Sequence, residues 1–425
     1  MTSVTARWWG LFLGGPSMPK TFRTAVVLIG AICAGRSATL AHGSLPPVSA
    51  PVAPAGSAGE PEPIPPPHTT PPRPVVAPVA TPPQDIQCGA ARASSSGRLL
   101  AAERSAVQSP RHALRTAAHR AANVRRAALG LAAEEARNRD AGIALELYWS
   151  LAEAVHSRPL ITESLAATDA AVVDRGTLAA RGLEVPVDPA TLDIRRLALA
   201  DGLIAVDAAV DTLSIAVRQA AGLPPGPMIP VQPGFEGEWT SGPPDVERLV
   251  REGLASKPEL RMLRMLLANL DAETLDVART VLGQANPALG GKDCERCCRG
   301  HVKLLRHRQS DCEVAAVARQ LRQLLGDREA AVEADVRRAA RLGAAEAERA
   351  GNATHRLEVA TRALADLRGK QTAGEGDAFA IHLAEVEVAK ERRAVVERLA
   401  MWERHRVQVW AAQGVLAARC GLACH

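Results

Sequence analysis

Aromatic residues make up only 3% of the 425-residue chain, with a single tyrosine, Tyr148, although hydrophobic residues reach 47%. The apolar mass is therefore mostly Ala, Leu and Val, a mix that favours close-packed helices, because strands select β-branched and aromatic side chains. Catalytic signatures are missing as well: no G-x-S-x-G, no H-E-x-x-H and no phosphate-binding loop occurs, so neither an enzyme nor a cofactor is expected. The apolar run AVVLIGAICAG (25–35) is shorter than the roughly 20 residues a membrane-spanning helix needs. Basic stretches interleaved with aromatics are also absent, since the densest, LLRHRQ (304–309), has no ring to stack on a base. Nucleic-acid binding is not expected. The net charge of +5 is the balance of 51 basic and 46 acidic residues spread along the chain, the pattern of a solvated, ion-paired helical surface.

The first 84 residues differ from the rest. Lys20 and Arg23 precede the apolar run and the small residues of ATLAHG (38–43) follow it, so residues 1–43 read as a signal peptide, with Thr39 and Ala41 before the cut. Met18 is an alternative start, and Cys33 raises a lipid anchor, although Ile32 stands where a small residue is needed. Residues 44–84 are dense in Pro, Ala and Ser and form a semi-extended tether. An exported, envelope-associated protein is implied.

From Leu114 onward the pattern turns helical. Helices are predicted over 114–181, 189–222, 244–256, Pro258 to about Gln284, 311 to about 371, and from the TAGEGD break (372–377) to about 419. Within 189–222, Leu199, Leu203, Val206, Val210, Leu213 and Val217 alternate spacings of four and three, a coiled-coil seam. In the last helix Ile381, Val388, Val395, Trp402 and Val409 recur every seventh position. Each half pairs a long helix with a second one across a glycine-containing break, RGLEVPVD (181–188) and AGEGD (373–377). The expected fold class is all-α: two long antiparallel coiled-coil helical hairpins in tandem, over 85–240 and 241–425.

LELYWSLAEA (145–154), the hairpin sequence of 180–225, the segment LASKPELRMLRMLLANLDAETLDVARTVLG (254–283) and the run from REAAVEADVRRAA onward resemble the outer-membrane efflux protein (TolC) family over residues 85–421. The resemblance implies a homotrimer whose hairpins build a periplasmic tunnel. It also implies tips that dock a periplasmic adaptor linked to an inner-membrane pump, in an exit duct for efflux or secretion. Gly182 and Leu183 in the first break, and Ala373 and Gly374 in the second, match those tips. A glycine there also serves simply to turn the chain with φ > 0. Two features of the family are missing. The strand insertions that build its barrel would fall within 85–122 and at 285–301, yet neither stretch shows the 9–11-residue alternation and aromatic girdle that spanning strands need. The acidic residues that narrow the family's tunnel would stand at Ala380 and Leu383, with Asp377 and Glu385 merely nearby. A tethered periplasmic scaffold that binds partners without conducting is the competing expectation.

The connector ANPALGGKDCERCCRGH (285–301) brings together Cys294, Cys297, Cys298 and His301, with Cys312 a little further on. Four such ligands suit zinc in type, but they sit within eight residues rather than on two separated knuckles. In an oxidising compartment a disulfide is the simpler expectation, and metal and unpaired thiols stay open beside it. The terminal CGLACH (420–425) is one residue too long for a haem attachment motif and reads as a short disulfide or a fraying tail. His355, His382 and His405 read as surface residues of helices.

Overall fold

The structure, a computed structural model, describes residues 80–107, 116–183, 185, 187–232, 244–285 and 306–422. These belong to the second of two units into which the chain divides, Val75–His425. The signal peptide and all but the end of the tether lie outside the described residues. So do residues 286–305, which hold Cys294, Cys297, Cys298 and His301. The described residues form α1 Pro83–Ala93, α2 Ser95–Ala106, α3 Thr116–Ala180, α4 Pro189–Ala221, α5 Val246–Ser256, α6 Pro258–Ala268, α7 Leu275–Ala285, α8 Arg306–Thr372 and α9 Ala378–Gln413, then a 3-10 turn, Ala418–Cys420.

Two long antiparallel hairpins, α3 with α4 and α8 with α9, dominate the unit. Helix α4 packs on α3, α3 on α9 and α9 on α8, so α3 and α9 lie inside and α4 and α8 form the margins. The heptad stripe of α4 is its inward face: Val210, Leu213 and Val217 are buried in one core with Leu145, Leu151, Ala152 and Ala154 of α3. Helix α9 packs on both sides, and its seven-residue repeat is only partly buried. Ile381, Val388 and Val409 are buried, whereas Val395 and Trp402 are half-buried. A helix of straight 3.6-residue pitch drifts from a seven-residue repeat, and two neighbours demand a wider apolar arc than one stripe supplies.

Helix boundaries differ from expectation: α1 and α2 stand before the first predicted helix, α8 starts at Arg306 rather than 311, and two further departures have local causes. The helix predicted from Pro258 to Gln284 breaks at 269–274. There Asp271 Oδ1 accepts from the backbone N–H of Glu273 and Thr274 (both 2.9 Å), and Thr274 Oγ1 donates to the Asn269 carbonyl (2.7 Å). Short polar side chains compete for the backbone and turn it, a local effect that outweighs the helical apolar period. The last helix ends at Gln413, because Gly414 takes φ +75° and closes it.

The lone tyrosine binds the flanks to the core. Tyr148 is fully buried on α3; its hydroxyl donates to the Thr81 carbonyl (2.9 Å) and accepts from the Gln232 N–H (3.3 Å). One aromatic thereby fixes the chain entering α1 and the chain leaving α4.

Candidate functional site

At both predicted tips the chain closes its helix in the same way. Gly182, φ +74°, donates to the Ala179 carbonyl (3.0 Å), and Leu183 donates to Leu178 (3.1 Å). In the second hairpin Gly374, φ +83°, donates to Gln371 (3.0 Å), and Glu375 donates to Lys370 (2.9 Å). This pair of bonds is the Schellman closure, and its left-handed residue is nearly always glycine. Leu183 is 54% exposed, Ala373 is exposed, and the space around Gly182 and Gly374 is open within 4 Å. All four tip residues thus stand at solvent-facing turns.

Below the tips the first hairpin and the start of α9 share a small core of Ala171, Leu192 and Phe379, against which Leu383 packs. Leu383 therefore serves packing. Asp377 accepts from the Phe379 N–H (3.0 Å) and caps α9. The charges of this region gather one turn further on. His382 Nδ1 lies 3.0 Å from Glu385 Oε2 and its Nε2 lies 3.4 Å from Asp174 Oδ2 on α3, while Arg368 of α8 donates to Glu385 (2.6 Å). Burial alone would raise the Glu385 carboxyl, but hydrogen bonds and charge from His382 and Arg368 outweigh it and hold the carboxyl below its ordinary range. Arg368, His382 and Glu385 border a groove of about 460 Å³ between the helices, with Glu163, Leu364 and Arg392 among its walls. His382 is thus a link between α3 and α9 rather than a free surface residue. The three-residue step from His382 to Glu385 was the only sign of it in the sequence, and the Asp174 contact had none. His405 also departs from expectation: it is buried, with Nδ1 3.0 Å from Gln408 Oε1. His355 is exposed, as expected.

At the opposite end the KPEL segment joins the two halves, and each of its residues has a task. Lys257 Nζ bonds Glu135 of α3 (2.8 Å) and the Ala411 carbonyl of α9 (3.1 Å). Pro258 supplies the first helical position of α6, where a missing N–H costs nothing. Glu259 pairs with Arg328 (3.1 Å) and Leu260 is fully buried. Beside it lies a cross-link that sequence reasoning missed. Cys88 of α1 and Cys420 are disulfide-bonded with Cα atoms 5.4 Å apart. The CGLACH string is therefore tied at Cys420 to a residue 332 positions away, and neither frays there nor closes on itself. Cys312 is a free, exposed thiol on α8. Among the described residues no group of three His, Cys, Asp or Glu side chains could hold a metal, and no helix is long and apolar enough to cross a membrane.

No protein-family model matches the sequence, and no curated protein matches it. Solved structures do match. The Neisseria gonorrhoeae MtrE outer membrane channel in its open state superposes with a TM-score of 0.54 at 10% identity, over 78% of this chain and 88% of that one. The CusC transmembrane channel gives 0.51 at 9% identity, over 79% and 92%. The fold is that of the helical part of TolC-like channels. At such identity the likeness is one of fold, and it rests on the paired hairpins, because the described residues contain no β-strand. Within 85–122, where the family's first strand pair would fall and no strand was expected, the described residues form helices, in α1, α2 and the first turns of α3. The second such position, 285–301, lies outside the described residues except for Ala285 at the end of α7.

Proposed function

We propose that this chain is a TolC-like component of an envelope exit duct for efflux or secretion, acting as a homotrimer whose hairpins form the wall of a periplasmic tunnel. One observation carries the reading. The marginal helices keep apolar residues exposed among the described residues: Ile194, Leu197, Ile204 and Ile215 on α4 are 63–68% exposed, and Leu342 and Val359 on α8 nearly half exposed. On α4, Leu197, Ile204 and Ile215 fall at helical spacings of seven and eleven and so share one face, as a contact stripe does. The two faces differ, so α4 of one copy meeting α8 of the next gives a head-to-tail contact that can close into a ring. Gly182, Leu183, Ala373 and Gly374 then meet a periplasmic adaptor that leads to an inner-membrane pump. The Cys88–Cys420 disulfide supports an oxidising, envelope-associated setting.

The second reading is a periplasmic helical scaffold that binds partners and conducts nothing. The helices standing at the first strand position favour it. Cell fractionation with light scattering decides between the two. A detergent-requiring trimer in the outer membrane supports the duct; a monomer soluble in the periplasm without detergent sinks it and leaves the scaffold.

A further inference from the structure

The base half of α9 carries a ladder of rings and cations that neither reading uses. Trp402, Arg406 and Trp410 follow one another at spacings of four, on one helix face. The Arg406 guanidinium carbon lies 5.0 Å from the Trp402 ring centre and 4.8 Å from that of Trp410; the guanidinium carbon of Arg419 lies 4.0 Å from Trp410. Arg419 belongs to the 3-10 turn, which the Cys88–Cys420 bond holds against α1, and just before the turn Gln87 Nε2 of α1 donates to the Leu416 carbonyl (2.7 Å). The second guanidinium is thus placed by covalent chemistry, from a segment far from the helix it covers.

Beside the ladder a groove of about 380 Å³ opens among α1, α3, α9 and the turn, a size that suits a small organic molecule. Pro83, Leu145 and Trp149 form its apolar side, and Gln84 is a polar group at its wall. Its charge is one-sided. Arg406 has Glu403 Oε2 at 2.9 Å, but Arg419 pairs with no carboxylate among the described residues. Partial burial and the like charge of Arg406 both push the Arg419 guanidinium down from its ordinary value. Two cations crowding one indole with a single carboxylate between them leave an anion's place unfilled, beside a wall suited to a flat apolar body.

The structure assigns this groove as a binding site for a small amphipathic organic anion, its carboxylate or sulfonate held by Arg419 and Arg406 and its ring body against Leu145, Trp149 and Pro83. A cation is repelled from such a site, and a neutral ring gains only the apolar wall. A planar guanidinium fork suits the two-oxygen edge of a carboxylate or sulfonate better than an ammonium does.

The test uses the full, disulfide-bonded chain and two probes of the same ring body: 8-anilinonaphthalene-1-sulfonate, and N-phenyl-1-naphthylamine, which lacks the sulfonate. Fluorescence titration and equilibrium dialysis should show one saturable sulfonate site per chain, with the neutral probe at least about tenfold weaker. Arg419→Gln should weaken the sulfonate about tenfold or more. Because it also removes the cation–π contact with Trp410, it should lower the melting temperature by no more than a few degrees, leaving the chain folded at the titration temperature. Arg419→Lys, which keeps charge and loses the fork, should fall between. Equal binding of the sulfonate to the native chain and to Arg419→Gln overturns the assignment, and so does a neutral probe that binds as tightly as the charged one.

Discussion

The two ends of the hairpins use one closing motif in opposite surroundings. Gly222 and Gly414 end α4 and α9 at the base, with φ +66° and +75°, as Gly182 and Gly374 end α3 and α8 at the tips. A Cβ on Gly182 or Gly374 would meet nothing within 4 Å. On Gly222 it would meet the Ala93 Cβ at 2.5 Å, and on Gly414 it would overlap the Pro258 ring and lie 3.0 Å from the Lys257 Cα. The same residue type therefore answers two demands, conformation alone at the tips and conformation with close approach at the base. Individual carboxyls also differ: the half-buried Glu146 and Glu153 and the buried Glu403 are raised chiefly by burial, whereas at Glu385 near the tip His382 and Arg368 outweigh burial and lower it. The base is a packed junction of several helices; the tips are open turns.

The strongest test of that contrast is Gly414→Ala. It combines the left-handed backbone cost with overlap against Pro258 and Lys257, and should destabilise the chain by roughly 3–5 kcal/mol in urea unfolding. A loss below about 1 kcal/mol would mean that the base relaxes as freely as the tips do. Next comes the staple at the same junction. Cys88→Ser opens a cross-link spanning 332 residues and should cost about 3 kcal/mol. Dithiothreitol should lower the native Tm at least to that of the variant, and should move the native chain by more than it moves the variant.

A third test concerns pH. The Glu403 carboxyl is pushed up to about 7, chiefly by burial, with Arg406 pulling the other way. In the unfolded chain a glutamate titrates near about 4.3, so between these values the folded chain holds a proton that the unfolded chain has lost. Its contribution is present below about 4.3 and disappears as pH rises through about 7. Glu403→Gln, which cannot ionise, should flatten the decline in stability between about pH 4.5 and 7.5 by on the order of 2 kcal/mol. Glu146 and Glu153 act in the same direction. Glu385 has the opposite sign, and its contribution is lost only as pH falls through its lowered value. A Glu403→Gln chain with the same pH profile as the native one would show that Glu403 is not buried as a carboxylate.

The contrast also explains what could be read from the sequence. The inward face of α4 was legible because one neighbour needs one stripe, and Val210, Leu213 and Val217 fall on it. The tip glycines were legible because a left-handed turn after a long helical run leaves few other choices. The base was not. Its junctions join residues far apart in the chain, such as Lys257 with Glu135 and Ala411, Gln87 with Leu416, and Cys88 with Cys420. Local periodicity carries no information about such pairs, and cysteine spacing alone does not fix a connectivity. The Trp402, Arg406, Trp410 ladder is half visible as a spacing of four; Arg419 reaches it only because the chain turns at Gly414 and is tied to α1.

The smallest effect is expected at the tips. Gly182→Ala and Gly374→Ala each force an L side chain into φ near +80° without meeting a neighbour, so each should cost only about 1–2 kcal/mol. The two losses should add, because among the described residues the turns share no partner through which to couple. Urea unfolding of the single and double variants measures this, and a double loss well above the sum would reveal a contact between the tips. The Leu183→Ala change leaves the Schellman bonds in place, since they use the backbone N–H, and should alter stability by less than about 0.5 kcal/mol. It therefore separates docking from folding. If it weakens binding to an adaptor while the melting curve stays put, the exposed tip is a contact surface; if binding is also unchanged, the tip glycines and their neighbours serve the turn alone.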